Sequence, residues 1–398
     1  MILWQVRGYA ITWLALQSSR RCDADVNADN SEKPGDRVEG SIMKAVVKTK
    51  PGKGNVELAE VPEPVCTPQE VTVEVKYSGI CGTDIHVFED TFRNYPPVIL
   101  GHEFSGVVVA VGSQVTSKKA GEPVAVLPAA AVVCGACEYC QRGYYMFCPV
   151  RRGMGHGIDG SFTKYARVRE ENAYSLPLGV SLEEAALAEP FAAAVQAIEE
   201  LTTFNIGDVV LLSGPGPIGL FCLLLLAKRG CRVIVAGTQH DGMRLDLART
   251  LGAVATIDAT GDNLPELVHQ ETRGRGVDCV VEAAGAPASV ANCLAMVKPM
   301  GKYIQLGIVG KAFESNFDTL LYKQIQLFGS VGHSRKTWDR VINILAHRMI
   351  DLKPLISHKL PLSEWRKAFD LCQSKQGVKV LLYYDDHGAQ PSDRRAAV

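Results

Sequence analysis

Along residues 44–176 the apolar positions come in short runs, at 45–48, 71–77, 104–111 and 162–168, separated by glycine and proline. Runs of that length bounded by turn residues predict β-strands, so this half of the chain is expected to be mainly β. From residue 182 the pattern changes. Helix-length stretches at 191–200, 218–228, 244–251, 264–272 and 289–296 alternate with short apolar runs at 209–213, 232–236, 255–258, 278–282 and 302–306. Alternation of that kind predicts a parallel sheet covered by helices. Residues 336–384 predict two amphipathic helices and a closing strand at 378–384, with a polar tail after 385.

The first 42 residues stand outside this patterning. Residues 1–22 carry Arg7, Arg20 and Arg21 and no acid, around an apolar stretch at 9–16 that is too short to span a membrane. Basic residues follow it directly and no small-x-small cleavage site is evident, so a targeting peptide is a poor fit. Residues 1–42 are expected to be a disordered or wrongly started extension, dispensable for folding and turnover.

At 398 residues, 47% hydrophobic and 21% charged, the chain has room for two domains with substantial cores. A formal charge of −1 from 42 basic and 43 acidic residues offers nothing to a polyanion, so nucleic acid is not an expected partner. Of the 12 cysteines, eight are scattered singly, several in apolar runs (Cys222, Cys231, Cys279, Cys293) where a thiol behaves as a small hydrophobe. That is no disulfide framework; a reducing, cytoplasmic location and no membrane are expected. The other four, Cys134, Cys137, Cys140 and Cys148, form C-x2-C-x2-C-x7-C, for which disulfides, an iron–sulfur cluster and zinc compete.

In the α/β half, the run 208–213 leads directly into Gly214-Pro-Gly216-Pro217-Ile218-Gly219 and an apolar helix. This is G-x-G-x-x-G in a strand–turn–helix setting, where the glycines serve a tight turn, close approach to a pyrophosphate and close helix–strand packing. The helix N-terminus adds free N–H groups for the phosphates. A dinucleotide is therefore the expected ligand. The acid expected at the end of the second strand is missing: the sequence there reads Gly237-Thr238-Gln239-His240-Asp241, with Arg244 the nearest strong cation. NAD is favoured over NADP, because no Lys or Arg lies between 237 and 243 and Asp241 would repel a 2′-phosphate; Arg244 as a phosphate clamp is the alternative. Upstream, Cys81, His102 and Glu103, with Glu189 later, are residue types that could hold a catalytic zinc with one position left open.

Taken together, Gly79-Ile-Cys81-Gly-Thr83-Asp84-Ile-His86, Gly101-His102-Glu103 with Gly106 and Gly112, the four-cysteine lobe, Glu189-Pro190, Gly214–Gly219 and Asp278-Cys-Val-Val-Glu282-Ala-Ala-Gly285 resemble the zinc-dependent medium-chain dehydrogenase/reductases. The nearest branch holds sorbitol (L-iditol) and L-threonine dehydrogenases, and the resemblance spans about residues 43–384. It implies a GroES-like, mainly β catalytic domain at 43–188, with a structural zinc lobe at about 128–150. A Rossmann doubly wound parallel sheet follows at 189–327, residues 328–385 return to the catalytic domain, and 386–398 are a tail. It also implies two zincs per chain. Cys134, Cys137, Cys140 and Cys148 would hold a closed structural zinc; the last spacing of seven, where the ferredoxin run has three, speaks against iron–sulfur. Cys81, His102 and Glu103 would hold a catalytic zinc, with Glu189 binding it or its water. Thr83 would take the hydroxyl proton and His86 pass it on, while residues 328–335 would line the site. Gly214, Gly216, Pro217, Ile218, Gly219, Gly237, Thr238 and Arg244 would contact the cofactor. The activity implied is hydride transfer from a secondary hydroxyl of a polyol or sugar to NAD(P), by a homo-oligomer expected to be a tetramer. L-Threonine 3-dehydrogenase and a glucose-type sugar dehydrogenase are the alternatives, and a non-catalytic dinucleotide-binding protein a remote one.

Overall fold

The structure is a computed structural model and describes residues 41–261 and 263–385. The expected N-terminal extension, apart from Ser41 and Ile42, and the expected tail after 385 lie outside the described residues.

The valine-rich runs of the first half pair as two sheets. A seven-stranded sheet runs in the order Ile356–Pro361, Lys379–Tyr383, Glu70–Gly79, Glu103–Val111, Pro123–Val126, Ala173–Ser175, with Tyr165–Arg169 also paired to Glu70–Gly79. A smaller sheet orders Val56–Pro62, Ile42–Lys48 and Val98–Ile99. Apart from the parallel pairing of Ile356–Pro361 with Lys379–Tyr383, these pairings are antiparallel. Successive side chains of an antiparallel strand alternate between faces, which the burial of Val71, Val73 and Val75 on one face of Glu70–Gly79 reflects.

The second half forms a six-stranded, wholly parallel sheet in the order Ala255–Asp258, Arg232–Gly237, Val209–Ser213, Val277–Glu282, Val297–Gln305, Gln326–Gly329. This is the 3-2-1-4-5-6 order of the doubly wound nucleotide fold, in which the crevice at the strands' C-terminal ends, beside the point where strand order reverses, receives the ligand. Val209–Ser213 is buried at every position, as a central parallel strand covered on both faces must be. Helix Pro217–Lys228 is apolar nearly all round because it lies in the core, with Phe221 5.6 Å from Phe191 of helix Ala188–Val195. Helix Arg335–Ala346 packs Trp338 and Val341 into the same core and is capped by Ser334, whose Oγ accepts from Thr337 N–H at 3.2 Å.

Several expectations shift. The helix expected over 191–200 ends at Val195 and closes in a π-helical turn at Gln196–Glu200, while the strand expected at 302–306 starts at Val297. Strands Pro123–Val126, Ile356–Pro361 and Gln326–Gly329 carry no clear alternation in sequence, and the last two lie at sheet edges, where only one neighbour constrains composition. Gln326–Gly329 continues the parallel sheet past residue 327, so the boundary expected there falls inside a strand.

Candidate active site

Strand Glu70–Gly79 delivers Cys81 to the start of the short helix Gly82–Phe88. Buried Asp84 closes that turn: its Oδ2 accepts from the Cys81 N–H at 2.8 Å and its Oδ1 from the Gly101 N–H at 3.2 Å. Gly101 leads into His102 and Glu103, so one carboxylate ties together the two segments that carry the candidate ligands. Asp84 Oδ1 also stands 3.5 Å from His102 Nδ1, the kind of carboxylate that orients a metal-binding histidine. Ligand atoms of Cys81, His102 and Glu103 all lie within 4.8 Å of one another.

Glu103 pairs in register with Gly79, and a Cβ on Gly79 would come within 2.5 Å of Glu103 Oε2; glycine leaves the carboxylate its room. That carboxylate is ion-paired with Lys379, itself fully buried and donating from Nζ to the Ile80 carbonyl at 2.9 Å. Glu189 meets His333, Nε2 to Oε1 at 3.2 Å, and His333 Nδ1 is 2.9 Å from Trp338 Nε1. An indole N–H can only donate, so Nδ1 accepts and the imidazole proton sits on Nε2, pointing at Glu189.

These charges are mutually poised. Burial raises the Glu103 carboxyl above the ordinary range, with Lys379 opposing and the Glu189 charge adding to the rise. Burial also pushes Glu189 up, but His333, His102 and Lys379 together hold it below that range. His102 lies well above the usual imidazole range: burial opposes its charge, and Asp84 and Cys81 outweigh it. A cluster that draws positive charge onto a buried imidazole, and offers sulfur, nitrogen and oxygen donors, fits a bound zinc ion.

A cavity of about 640 Å³ is lined both by Cys81, Thr83, His102 and Glu189 and by Ile218 and residues 305–308 at the ends of the parallel sheet. Gly329, Ser330, Val331, Gly332 and His333 also line it, as expected for that segment, whereas Arg335 turns to the Tyr145 hydroxyl and the Glu171 carbonyl, both at 2.9 Å. His86 is exposed, 3.0 Å from Thr91 Oγ1, and is not among the cavity residues.

In the glycine loop the three glycines differ in what a side chain would meet. A Cβ on Gly219 would strike the Gly214 carbonyl oxygen at 2.1 Å, one on Gly214 would strike Ala284 N at 2.6 Å, and one on Gly216 would meet nothing within 4 Å. Gly214 and Gly219 are required by protein packing; Gly216, preceding helix Pro217–Lys228, leaves open space for a ligand. Beside the loop, buried Glu282 accepts from the Ala284 and Gly285 N–H groups, Ser289 Oγ and Gln305 Nε2, which organises the floor of the crevice. At the end of Arg232–Gly237, Asp241 folds back onto Thr238, its Oδ2 accepting from the backbone N–H at 3.0 Å and from Oγ1 at 2.7 Å. Arg244, expected to face the cofactor, is instead buried, donating to the Gly377 carbonyl at 2.5 Å with Asp241 at 3.7 Å. Its inward course follows from its place on the packed face of helix Gly242–Thr250.

The four cysteines of the lobe also converge, all Sγ atoms within 4.8 Å. Cys134 and Cys140 are 3.9 Å apart, far beyond a disulfide bond, and all four are free thiols. The Cys137 N–H, 3.3 Å from Cys134 Sγ, and that of Ala136 push the Cys134 thiol down to about 6, while burial pushes Cys140 up to about 12. A closed four-sulfur cage with one thiol already inclined to ionise fits a structural zinc.

Residues 67–178 match the alcohol dehydrogenase GroES-like domain family, and residues 217–347 the zinc-binding dehydrogenase family. The chain is 37% identical over 341 residues to a sorbitol dehydrogenase of Halalkalibacterium halodurans, covering 85% of this chain and 99% of that protein. This chain belongs to the zinc-dependent medium-chain dehydrogenase/reductases. The dehydrogenase is likewise 37% identical over 342 residues to a D-arabitol-phosphate dehydrogenase of Enterococcus avium, covering 85% of this chain and 97% of that one. Among solved structures it superimposes, with a TM-score of 0.78 and 30% identity over 86% of this chain and 99% of the other, on a protein of Sinorhizobium meliloti 1021 described as a zinc-binding dehydrogenase and bound to NADP. The dehydrogenase is a zinc-dependent oxidoreductase of the alcohol dehydrogenase kind, working with a nicotinamide dinucleotide. Among the described residues, no helix is long and apolar enough to cross a membrane.

Asp84, Lys379 and the His333–Trp338 pair were not singled out by sequence reasoning. Asp84 sits inside the Cys81–His86 motif and could have been found there as an acid placed to cap the turn. Lys379 and Trp338 come from distant segments and have no local signal.

Proposed function

We propose that Cys81, His102 and Glu103 hold the catalytic zinc and that Glu189, oriented by His333, holds the water or substrate hydroxyl beside it. Bound there, zinc would act as a Lewis acid that lowers the pKa of the substrate hydroxyl. Thr83, on the cavity wall, accepts the hydroxyl proton, and His86 carries it to solvent through the cofactor ribose. Lys379 neutralises Glu103 and keeps its carboxylate from drifting. Ile218 and residues 305–308 support the nicotinamide, with Gly214–Gly219 receiving the pyrophosphate. The observation that carries the reading is that the Cys81–His102–Glu103 cluster opens onto the cavity that also reaches the C-terminal ends of the parallel strands.

A second zinc in the cysteine lobe is structural. The domains run as the family resemblance implies, with the nucleotide-binding sheet extended to Gly329. The preferred substrate is a polyol, and the preferred cofactor NAD: the Asp241 carboxylate, held at the strand end by Thr238, faces any 2′-phosphate with negative charge, and Arg244 is engaged elsewhere. A homo-oligomer, expected as a tetramer, is supported by the edge strand Gln326–Gly329, which has no strand partner on one side among the described residues and lies near exposed Phe317, Leu321 and Leu327. A cytoplasmic location suits the unpaired thiols.

Incubation with polyols, sugars and L-threonine, following nicotinamide absorbance, tests the activity, and metal analysis tests the sites. Two zincs per chain are expected, with Cys81→Ser retaining the fold and losing turnover. A Cys81→Ser enzyme that turns over at the wild-type rate when zinc-replete overturns the assignment.

A further inference from the structure

The segment after the last lobe cysteine lines the cavity with two groups that hydride transfer does not use, Arg151 and His156. Arg151 donates from Nε to the Ala129 carbonyl at 3.1 Å, which anchors the guanidinium. Its Nη groups make no hydrogen bond or ion pair with any described residue, although the side chain is half-buried. Burial lowers its pKa, and the charge that most opposes this is that of Glu189, which is already bonded to His333. Guanidinium stays charged regardless, so the fork is left under-compensated.

His156 stands beside it. Its ring packs edge-on against Phe92 at 5.1 Å, and burial, with His102 and Arg151 adding to it, holds it down to about 4, so the imidazole is neutral. Neither ring nitrogen bonds to a described residue. Gly153, also on the cavity wall, explains how both reach the space: a Cβ there would lie 2.8 Å from His156 Nε2 and 3.1 Å from Arg151 Nη2. Gly153 has no left-handed φ, so glycine is required here for room alone. The Tyr95 N–H donates to the His156 carbonyl at 2.9 Å, and Tyr95 is flanked by Arg93 at 5.0 Å and Arg152 at 4.4 Å, neither ion-paired with a described residue. Arg151, Arg93 and Arg152 thus gather positive charge around His156, which favours an anion at this part of the cavity.

We propose that the alcohol oxidised here carries a terminal anion, a phosphate ester or a carboxylate, which the Arg151 Nη groups bind as a fork while His156 donates a hydrogen bond to it. The planar fork matches either anion in two parallel hydrogen bonds. The inference rests on the reading of the cavity as a polyol dehydrogenase site.

The test compares a pentitol, its terminal phosphate ester and the aldonate of the same chain length, each with NAD and NADP. At least one anionic substrate is expected to exceed the neutral pentitol by about tenfold or more in kcat/KM, and the better of the two identifies the anion. Arg151→Met and Gly153→Ala should both collapse that ratio, chiefly through KM, whereas Arg151→Lys should retain part of it. Calorimetry with inorganic phosphate gives a second readout, with binding to the wild type that Arg151→Met abolishes; thermal melts establish that the variants are folded. A neutral pentitol oxidised as well as both anions, or a ratio unmoved in folded Arg151→Met and Gly153→Ala, overturns the proposal and leaves the polyol reading standing. If none of the three compounds is oxidised, the polyol reading fails instead, and the absence of Arg151-dependent phosphate binding then overturns the anion site as well.

Discussion

His333 shows how a single proton is placed by packing. Trp338 is fully buried and donor-only, so it dictates the tautomer of the imidazole, and through it the hydrogen bond offered to Glu189. Replacing His333 by Leu removes that donor and is expected to lower kcat/KM by roughly tenfold to a hundredfold, the usual range for groups that orient a metal site from behind. His333→Gln, which keeps an N–H for Glu189, should recover a substantial part of the loss. Steady-state kinetics on both variants checks this; equal loss in the two would mean that His333 acts only by filling space. At this scale sequence reading reached the candidate ligands but not their partners, because Cys81 and His102 stand in recognisable local motifs while His333 meets Glu189 across 144 positions of chain.

Two elements carry separable contributions to stability. The cysteine lobe has only a four-residue helix, Glu138–Gln141, and two short 3-10 turns, Pro128–Ala130 and Tyr145–Phe147, so a bound ion would contribute much of what holds it together. Cys137→Ser is expected to release one equivalent of zinc and lower the melting temperature, while leaving less effect on turnover of the folded fraction than Cys81→Ser; zinc analysis and thermal melts decide it. The second element is the π-helical turn Gln196–Glu200, which docks helix Arg335–Ala346 by Glu200, bonded to Lys336 at 2.8 Å and Arg340 at 2.6 Å. Burial alone would raise the Glu200 carboxyl, but the two cations outweigh it and hold it below the ordinary range. A carboxyl depressed in the folded state stabilises above its unfolded pKa of about 4.3 and loses that contribution as pH falls through the folded value. The melting temperature of Glu200→Gln should therefore lie below wild type at neutral pH, with the gap closing below about pH 4; a gap that widens in acid contradicts the ion pairing.

Across the whole molecule, the cavity joins a sheet of antiparallel strands that carries the candidate zinc ligands to a parallel sheet that carries the glycine loop. Cofactor choice is expected to be set at the C-terminal end of strand Arg232–Gly237, where Asp241 is bonded to Thr238 and approached by Lys375 at 3.3 Å. NAD is expected to exceed NADP by tenfold or more in kcat/KM with the same polyol, because a 2′-phosphate beside a buried carboxylate costs more than an unmatched hydroxyl, roughly a factor of ten per 1.4 kcal/mol. Asp241→Asn should narrow the gap, and a wild-type preference for NADP would show that Lys375 governs the site in place of Asp241.

Sequence alone determined the fold class, because period-two and period-3.6 hydrophobic patterns and the placement of Gly214, Gly216 and Gly219 are local properties of the chain. It also named the two candidate ligand sets, whose members lie close together in the chain or in short motifs. The edge strands, the inward course of Arg244, the Glu103–Lys379 ion pair and the half-buried, cavity-lining fork of Arg151 were decided by tertiary structure. Each depends on which distant segment occupies the space beside a side chain, and a one-dimensional pattern carries no record of that: Lys379 lies in a strand that reads as ordinary β, and it becomes the buried counter-charge of Glu103 because that strand pairs beside Gly79.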